Sequence, residues 1–153
     1  MKRILLIVDP QNDFITGSLA VEGAKEKMMK LADYINGDHP SYDYVCVTMD
    51  THPENHSSFK ENGGIWPKHC IIDTNGWNIS EYLEDAMQFV GAGKKIYFGY
   101  YHKGTEPDQE EYSIIQNMIK QFKAKGDKLK YSWRGLMNIS IGRTTRYTTE
   151  YFC

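Results

Sequence analysis

Cysteine is scarce in this chain of 153 residues, which holds only Cys46, Cys70 and Cys153 at uneven spacing. So few thiols exclude a disulfide framework and point to a reducing compartment, where a cysteine can work as a thiol. Long apolar runs are missing as well. No stretch approaches the length of a membrane span, and the N-terminal MKRILLIVDP meets Asp9 too early to form a signal-peptide core, so a cytoplasmic location is expected. Charge of one sign is also lacking: the net charge of -2 predicts no general attraction to nucleic acid or membrane. Binding is expected at a local site.

What the chain does have is enough apolar material, 41% hydrophobic and 13% aromatic, for one core. Residues 3–8, RILLIV, form a short continuous apolar run of the kind buried on both faces in a parallel sheet. Asp9 follows at its C-terminal end, where open α/β sheets bind ligands, although a short carboxylate there can also be a loop cap. The segment PQNDFITGSLAVEGA reads as a loop over the site. Helical spacing of Ala24, Met28, Leu31, Ala32 and Ile35 predicts an amphipathic helix over 24–35.

A second strand is predicted over 42–49, and the chain's densest chemistry leaves it. The stretch DTHPENHSSFKENGGIWPKHC places Asp50, His52, His56 and His69 within twenty-one residues. An Asp-x-His pair on an extended segment puts both side chains on one side of the chain, and a loop residue can close the set. Imidazole with carboxylate suits borderline divalent ions such as Zn, Fe or Mn. The alternative is a group of solvated loop histidines. Cys46, between two valines, reads as a small buried hydrophobe.

Further elements are predicted as a helix over 78–90, N-capped by Asn78, a strand over 95–100, a helix over 107–123 and a fourth strand over 128–133. The order β-α-β-loop-α-β-α predicts an α/β fold, a doubly wound and mostly parallel sheet that brings Asp9, Asp50 and Lys103 to one edge. A domain over 1–133 is expected, with an atypical segment over 134–153. The latter holds Arg134, Arg143, Arg146 and four threonines but no persistent period.

Several separated stretches resemble the nicotinamidase branch of the isochorismatase-like cysteine hydrolases. LLIVDPQNDFITGSLAV is similar to the family's opening strand and D-x-Q-N-D-F loop, DTHPENHSSF to its metal motif, WPKHC to its W-P-x-H-C motif, and HKGTEPDQEEYS to the segment carrying its lysine. The resemblance implies the family's three-layer fold and assigns Asp9 and Lys103 to a catalytic triad. It assigns Asp50, His52 and His69 to a metal, with His56 a further ligand or a supporting group. Phe14, Leu19, Trp66 and Tyr112 would line a pocket for a pyridine ring. The departure is at the nucleophile: only YTTEYFC is comparable with the family's cysteine segment, which makes Cys153 the candidate and leaves the sheet short of its last strands.

The implied activity is metal-dependent hydrolysis of nicotinamide to nicotinic acid and ammonia through a cysteine thioester, in pyridine nucleotide salvage. A binding module without catalysis, holding a metal or a nicotinamide-like ligand, is the alternative. A homo-oligomer is one way to cover the apolar surface that a shortened sheet exposes.

Overall fold

The computed structural model describes residues 4–37, 42–88 and 97–114. Three strands, β1 (Ile4–Val8), β2 (Tyr44–Asp50) and β3 (Tyr97–Lys103), pair in the order β1-β2-β3, with both pairings parallel. Each strand is a short apolar or aromatic run. With β2 in the middle, its neighbours satisfy both edges of its backbone.

The register sorts side chains onto two faces. Leu5 and Ile7 lie opposite Val45 and Val47, and these join Met49 in the main core. Ile4 and Leu6, opposite Tyr44 and Cys46, form a second cluster with Tyr101 and Ile114. Alternation along each strand thus gives the sheet two apolar faces.

The helices are α1 (Asn12–Ile15), α2 (Ala24–Asn36) and α3 (Glu81–Gln88). Ala24, Met28 and Leu31 of α2 and Leu83 of α3 fill the main core, and the two helices pack against each other. They are the crossovers that parallel neighbours require. Gly23 starts α2 in the left-handed region, and Gly37 follows its last residue.

The loop after β1 contains one helical turn, α1, which the sequence does not signal by periodicity. The third helix starts at Glu81, so Asn78 is not its cap. Residues 78–80 are held out of the helix by tertiary bonds: Asn12 N–H donates to the Asn78 carbonyl (3.0 Å), Ile79 bridges Gln11, and Ser80 N–H donates to the Pro10 carbonyl (2.8 Å). The third strand runs on to Lys103 because its backbone pairs with β2 as far as Asp50. Residues 107–114, expected to open a helix, instead lie against the histidine loop, with Ser57 N–H bonded to the Pro107 carbonyl. The rest of that helix, the fourth strand and the segment 134–153 lie outside the described residues. Among those described, no helix is long and apolar enough to cross a membrane.

Candidate active site and metal centre

The C-terminal ends of the three strands deliver three charged side chains to one buried place. Asp9 leaves β1 in the left-handed region (φ 47°), a conformation Asp tolerates better than most residues. Its turn is held by Thr48, whose hydroxyl donates to Asp9 Oδ1 (2.6 Å) while accepting the Asp9 N–H (3.2 Å). Lys103 Nζ lies 3.0 Å from Asp9 Oδ2 and donates to Asp50 Oδ1. All three residues are buried.

Two carboxylates and one ammonium make a desolvated cluster one charge short of neutral. Burial pushes the Asp9 carboxyl above its ordinary value, against the pull of Lys103. Burial alone would lower the Lys103 pKa, but Asp9 and Asp50 outweigh it and hold the ammonium charged. Asp9 is therefore a carboxylate with raised proton affinity beside a fixed cation, which suits it to accept a proton and give it back.

Beyond β2 the chain is pinned by further ladder bonds. Thr51 N–H donates to the Lys103 carbonyl (2.9 Å), His52 N–H to the Cys70 carbonyl (3.0 Å), and Ile72 N–H to the His52 carbonyl (3.0 Å). That bridge carries the distant His69 back beside His52. Cys70 adopts a left-handed conformation (φ 46°) and donates its N–H to Asp13 Oδ2 (2.7 Å), which fixes the turn after His69.

The ligand atoms of Asp50, His52 and His69 all lie within 4.8 Å of one another, and all three residues are buried. His52 Nε2 is 3.9 Å and His69 Nε2 4.0 Å from Asp50 Oδ2. His52 Nδ1 is 2.9 Å from the Gly104 carbonyl, and His69 Nδ1 is 2.8 Å from the Pro67 carbonyl. A carbonyl only accepts, so each Nδ1 carries a proton, and in the neutral ring the lone pair is then on Nε2. Burial also lowers the His52 pKa to about 4, which keeps that ring neutral at pH 7. An ion held at about 2.0–2.2 Å spaces its ligands roughly 3.5 Å apart, so the two gaps to Asp50 Oδ2 need to close by about half an ångström. The donor set fits a divalent ion.

His56 takes a different place. Its Nδ1 accepts the Ser58 N–H (3.2 Å) and lies 2.7 Å from the Ser58 hydroxyl, while Nε2 lies 3.2 Å from the Gln109 carbonyl. Both nitrogens are engaged, so the ring packs on His52 with centroids 4.2 Å apart rather than joining the three converging groups.

Phe14, Leu19, Trp66 and Tyr112, the four residues expected to line a pocket, line one cavity together with Asp50, His69, Lys103 and Glu110. Cys153 lies outside the described residues. Cys70 is buried, and burial, with Asp50, Asp13 and Asp9 nearby, pushes its thiol far from ionisation.

Sequence reasoning missed several contributors. Phe59 is wholly buried and touches the rings of His52, His56 and His69; its signal was a lone aromatic in the polar run ENHSSFKENGG. Thr48, Gln11 and Asp13 act through hydrogen bonds to distant segments, for which spacing gives no signal. Glu110 sat within a segment read as helix.

Comparison with known proteins agrees with this geometry. No family model matches the chain. The nicotinamidase/pyrazinamidase of Mycobacterium tuberculosis is 33% identical over 123 residues, covering 78% of this chain and 65% of the relative. The nicotinamidase of Saccharomyces cerevisiae is 29% identical over 142 residues, covering 76% and 63%. Among solved structures, the zinc complex of the Pyrococcus horikoshii pyrazinamidase superposes with a TM-score of 0.60 at 29% identity, over 86% of this chain and 68% of that one. These similarities are to proteins named nicotinamidase and pyrazinamidase, and the chain spans a little under two thirds of the two curated relatives. Its parallel sheet with crossover helices is an α/β fold, shared with isochorismatase-like hydrolases.

Proposed function

We propose that this isochorismatase-like chain carries the site of a metal-dependent nicotinamidase, which hydrolyses nicotinamide to nicotinic acid and ammonia in pyridine nucleotide salvage. The observation that carries the reading is a cavity walled by Phe14, Trp66 and Tyr112 into which Lys103, Asp50 and His69 open, with Asp9 behind Lys103 and His52 beside Asp50 and His69. The relatives that match it bear the names nicotinamidase and pyrazinamidase.

A carboxamide is a poor electrophile and ammonia a poor leaving group, so a thiolate nucleophile divides the reaction into two easier steps. Cys153 is the residue proposed for this role. Its S–H proton passes to the Asp9 carboxylate, the sulfur attacks the carboxamide carbon, and Asp9 returns the proton as the C–N bond breaks and ammonia leaves. Water then cleaves the thioester to the carboxylic acid. Lys103 holds its charge beside Asp9 throughout and keeps the carboxylate aimed. Phe14, Leu19, Trp66 and Tyr112 receive the flat ring and exclude water. Asp50, His52 and His69 would hold the divalent ion, zinc by preference with iron or manganese as alternatives, which supplies Lewis-acid polarisation beside the ring pocket.

The test is ammonia release from nicotinamide by zinc-loaded protein, with Asp9→Asn and Cys153→Ala in parallel. Activity lost in both variants supports the assignment. Activity that survives Cys153→Ala removes that cysteine as nucleophile, and no ammonia from folded wild type leaves a binding module in place of an enzyme.

A further inference from the structure

We infer that Gln11 is the positioning residue that sets Asp50, acting as a side-chain substitute for the strand that β1 stops supplying. The inference rests on the metal centre proposed above. It concerns a residue with no role in the proton transfers.

In a regular parallel ladder β1 would continue beside β2 past Thr48. The first bond of that continuation is present, from the Asp9 N–H to the Thr48 carbonyl (3.1 Å). Asp9 then turns into the left-handed region, which swings its carboxylate to Thr48 and Lys103. That turn removes the backbone groups that would next have paired with Asp50.

The Gln11 carboxamide stands in for them. Its Oε1 accepts the Asp50 N–H (2.8 Å), and its Nε2 donates to the Asp50 carbonyl (2.8 Å). The second Nε2 hydrogen goes to the Trp77 carbonyl (2.9 Å), in the turn before α3. A side-chain amide has the same donor and acceptor as a peptide unit, so it can complete a ladder that the main chain has left. Gln11 is 0% exposed, and these three bonds engage both of its polar atoms. Leaving any of them unmade in the interior is costly.

The consequence falls on Asp50, whose two carboxylate oxygens face different partners. Oδ1 accepts from Lys103, while Oδ2 faces the lone pairs of His52 and His69. Both relations depend on where the Asp50 backbone sits. One edge is fixed by β3 pairing through Lys103, and the other, among the described residues, by Gln11. Gln11 thereby reconciles two demands on one strand end: Asp9 must leave the sheet, and Asp50 must stay in it.

The experiment is titration of the full chain, stripped of metal, with cobalt(II), reading both Kd and the visible absorption band. Wild type is compared with Gln11→Met, which keeps the length but makes none of the three bonds. Val45→Ala, a core change away from the cavity, serves as a control for lost stability. Gln11→Met is expected to bind cobalt about 10–100-fold more weakly, with an altered band, the usual cost of losing a group that orients a ligand. Val45→Ala is expected to melt earlier yet keep both Kd and band. Folded Gln11→Met with the wild-type Kd and band would overturn the role of Gln11. Where Gln11→Met does not fold, Gln11→Glu decides: neutral or ionised it loses the donor to the Trp77 carbonyl, and once ionised it has no donor at all, so a wild-type Kd and band that hold as pH rises overturn the inference equally. Wild type that binds no cobalt overturns the metal centre itself, and the role of Gln11 falls with it.

Discussion

Gly104 shows how closely single residues are fitted around the site. Its φ is +63°, and a Cβ built on it would lie 2.4 Å from His52 Cε1 and 2.7 Å from Nδ1. The His52 ring cannot retreat, because His56 packs on one side and Phe59 meets it edge-on. Glu111 Oε2 accepts the Gly104 N–H (3.0 Å), and the Gly104 carbonyl orients His52. Gly104→Ala is therefore expected to cost about 1–3 kcal/mol in backbone strain alone, more with the clash, and to lower metal content. Urea unfolding and elemental analysis of the purified variant check both, and a variant with wild-type stability and metal would refute this fit. His52 also gives a pH dependence. Burial brings its folded pKa down to about 4 from the ordinary histidine value of 6.5. Between these values the unfolded chain takes up a proton that the folded chain refuses. The stability contributed by neutral His52 is thus complete above pH 6.5 and is lost as pH falls towards 4, by at most about 3 kcal/mol. In chelator, wild type should lose more stability than His52→Gln between pH 7.5 and 4.5. A constant difference between the two across that range would sink the assignment.

Elements are where sequence and structure agree most, and where the disagreements have a common cause. The strand runs ILLIV and YVCVTMD and the 3.6-residue spacing of Ala24, Met28 and Leu31 were legible because burial on a face is a local pattern. The late start of α3, the run of β3 to Lys103 and the non-helical 107–114 were not, because long-range hydrogen bonds set them. The candidate site divides the same way. Asp50, His52 and His69 could be chosen by residue type and motif, but only the bridge between His52 and Ile71 shows how His69 returns to them. In α2, neighbouring methionines test the face assignment: Met28 is 1% exposed and Met29 50%. Met28→Ala should cost about 2–5 kcal/mol and Met29→Ala about 0.5 or less, measured by chemical denaturation. Equal costs would mean that α2 is rotated from the orientation described.

At the scale of the whole molecule, the distribution of regular structure makes the proposed metal a matter of stability as well as chemistry. Between β2 and α3 the chain has a single 3-10 turn (Lys60–Asn62) and otherwise depends on isolated bonds such as Lys60 N–H to the Trp66 carbonyl (2.8 Å). Asp50 sits at the end of the sheet, while His52 and His69 belong to this loop, so an ion held by all three ties the loop to the core. Binding to the folded state alone stabilises it by RT ln(1 + [L]/Kd), about 2.7 kcal/mol at one hundred times Kd. For a chain of this size that corresponds to a rise in Tm of roughly 5–10 °C. Zinc in excess should therefore raise the Tm of stripped wild type by that amount, and chelator should reverse it. Asp50→Asn weakens a ligand without removing its bulk, so its Tm should respond little to either. A zinc-dependent rise of equal size in Asp50→Asn would place the ion elsewhere on the molecule, and no rise in wild type would separate the loop's order from metal altogether.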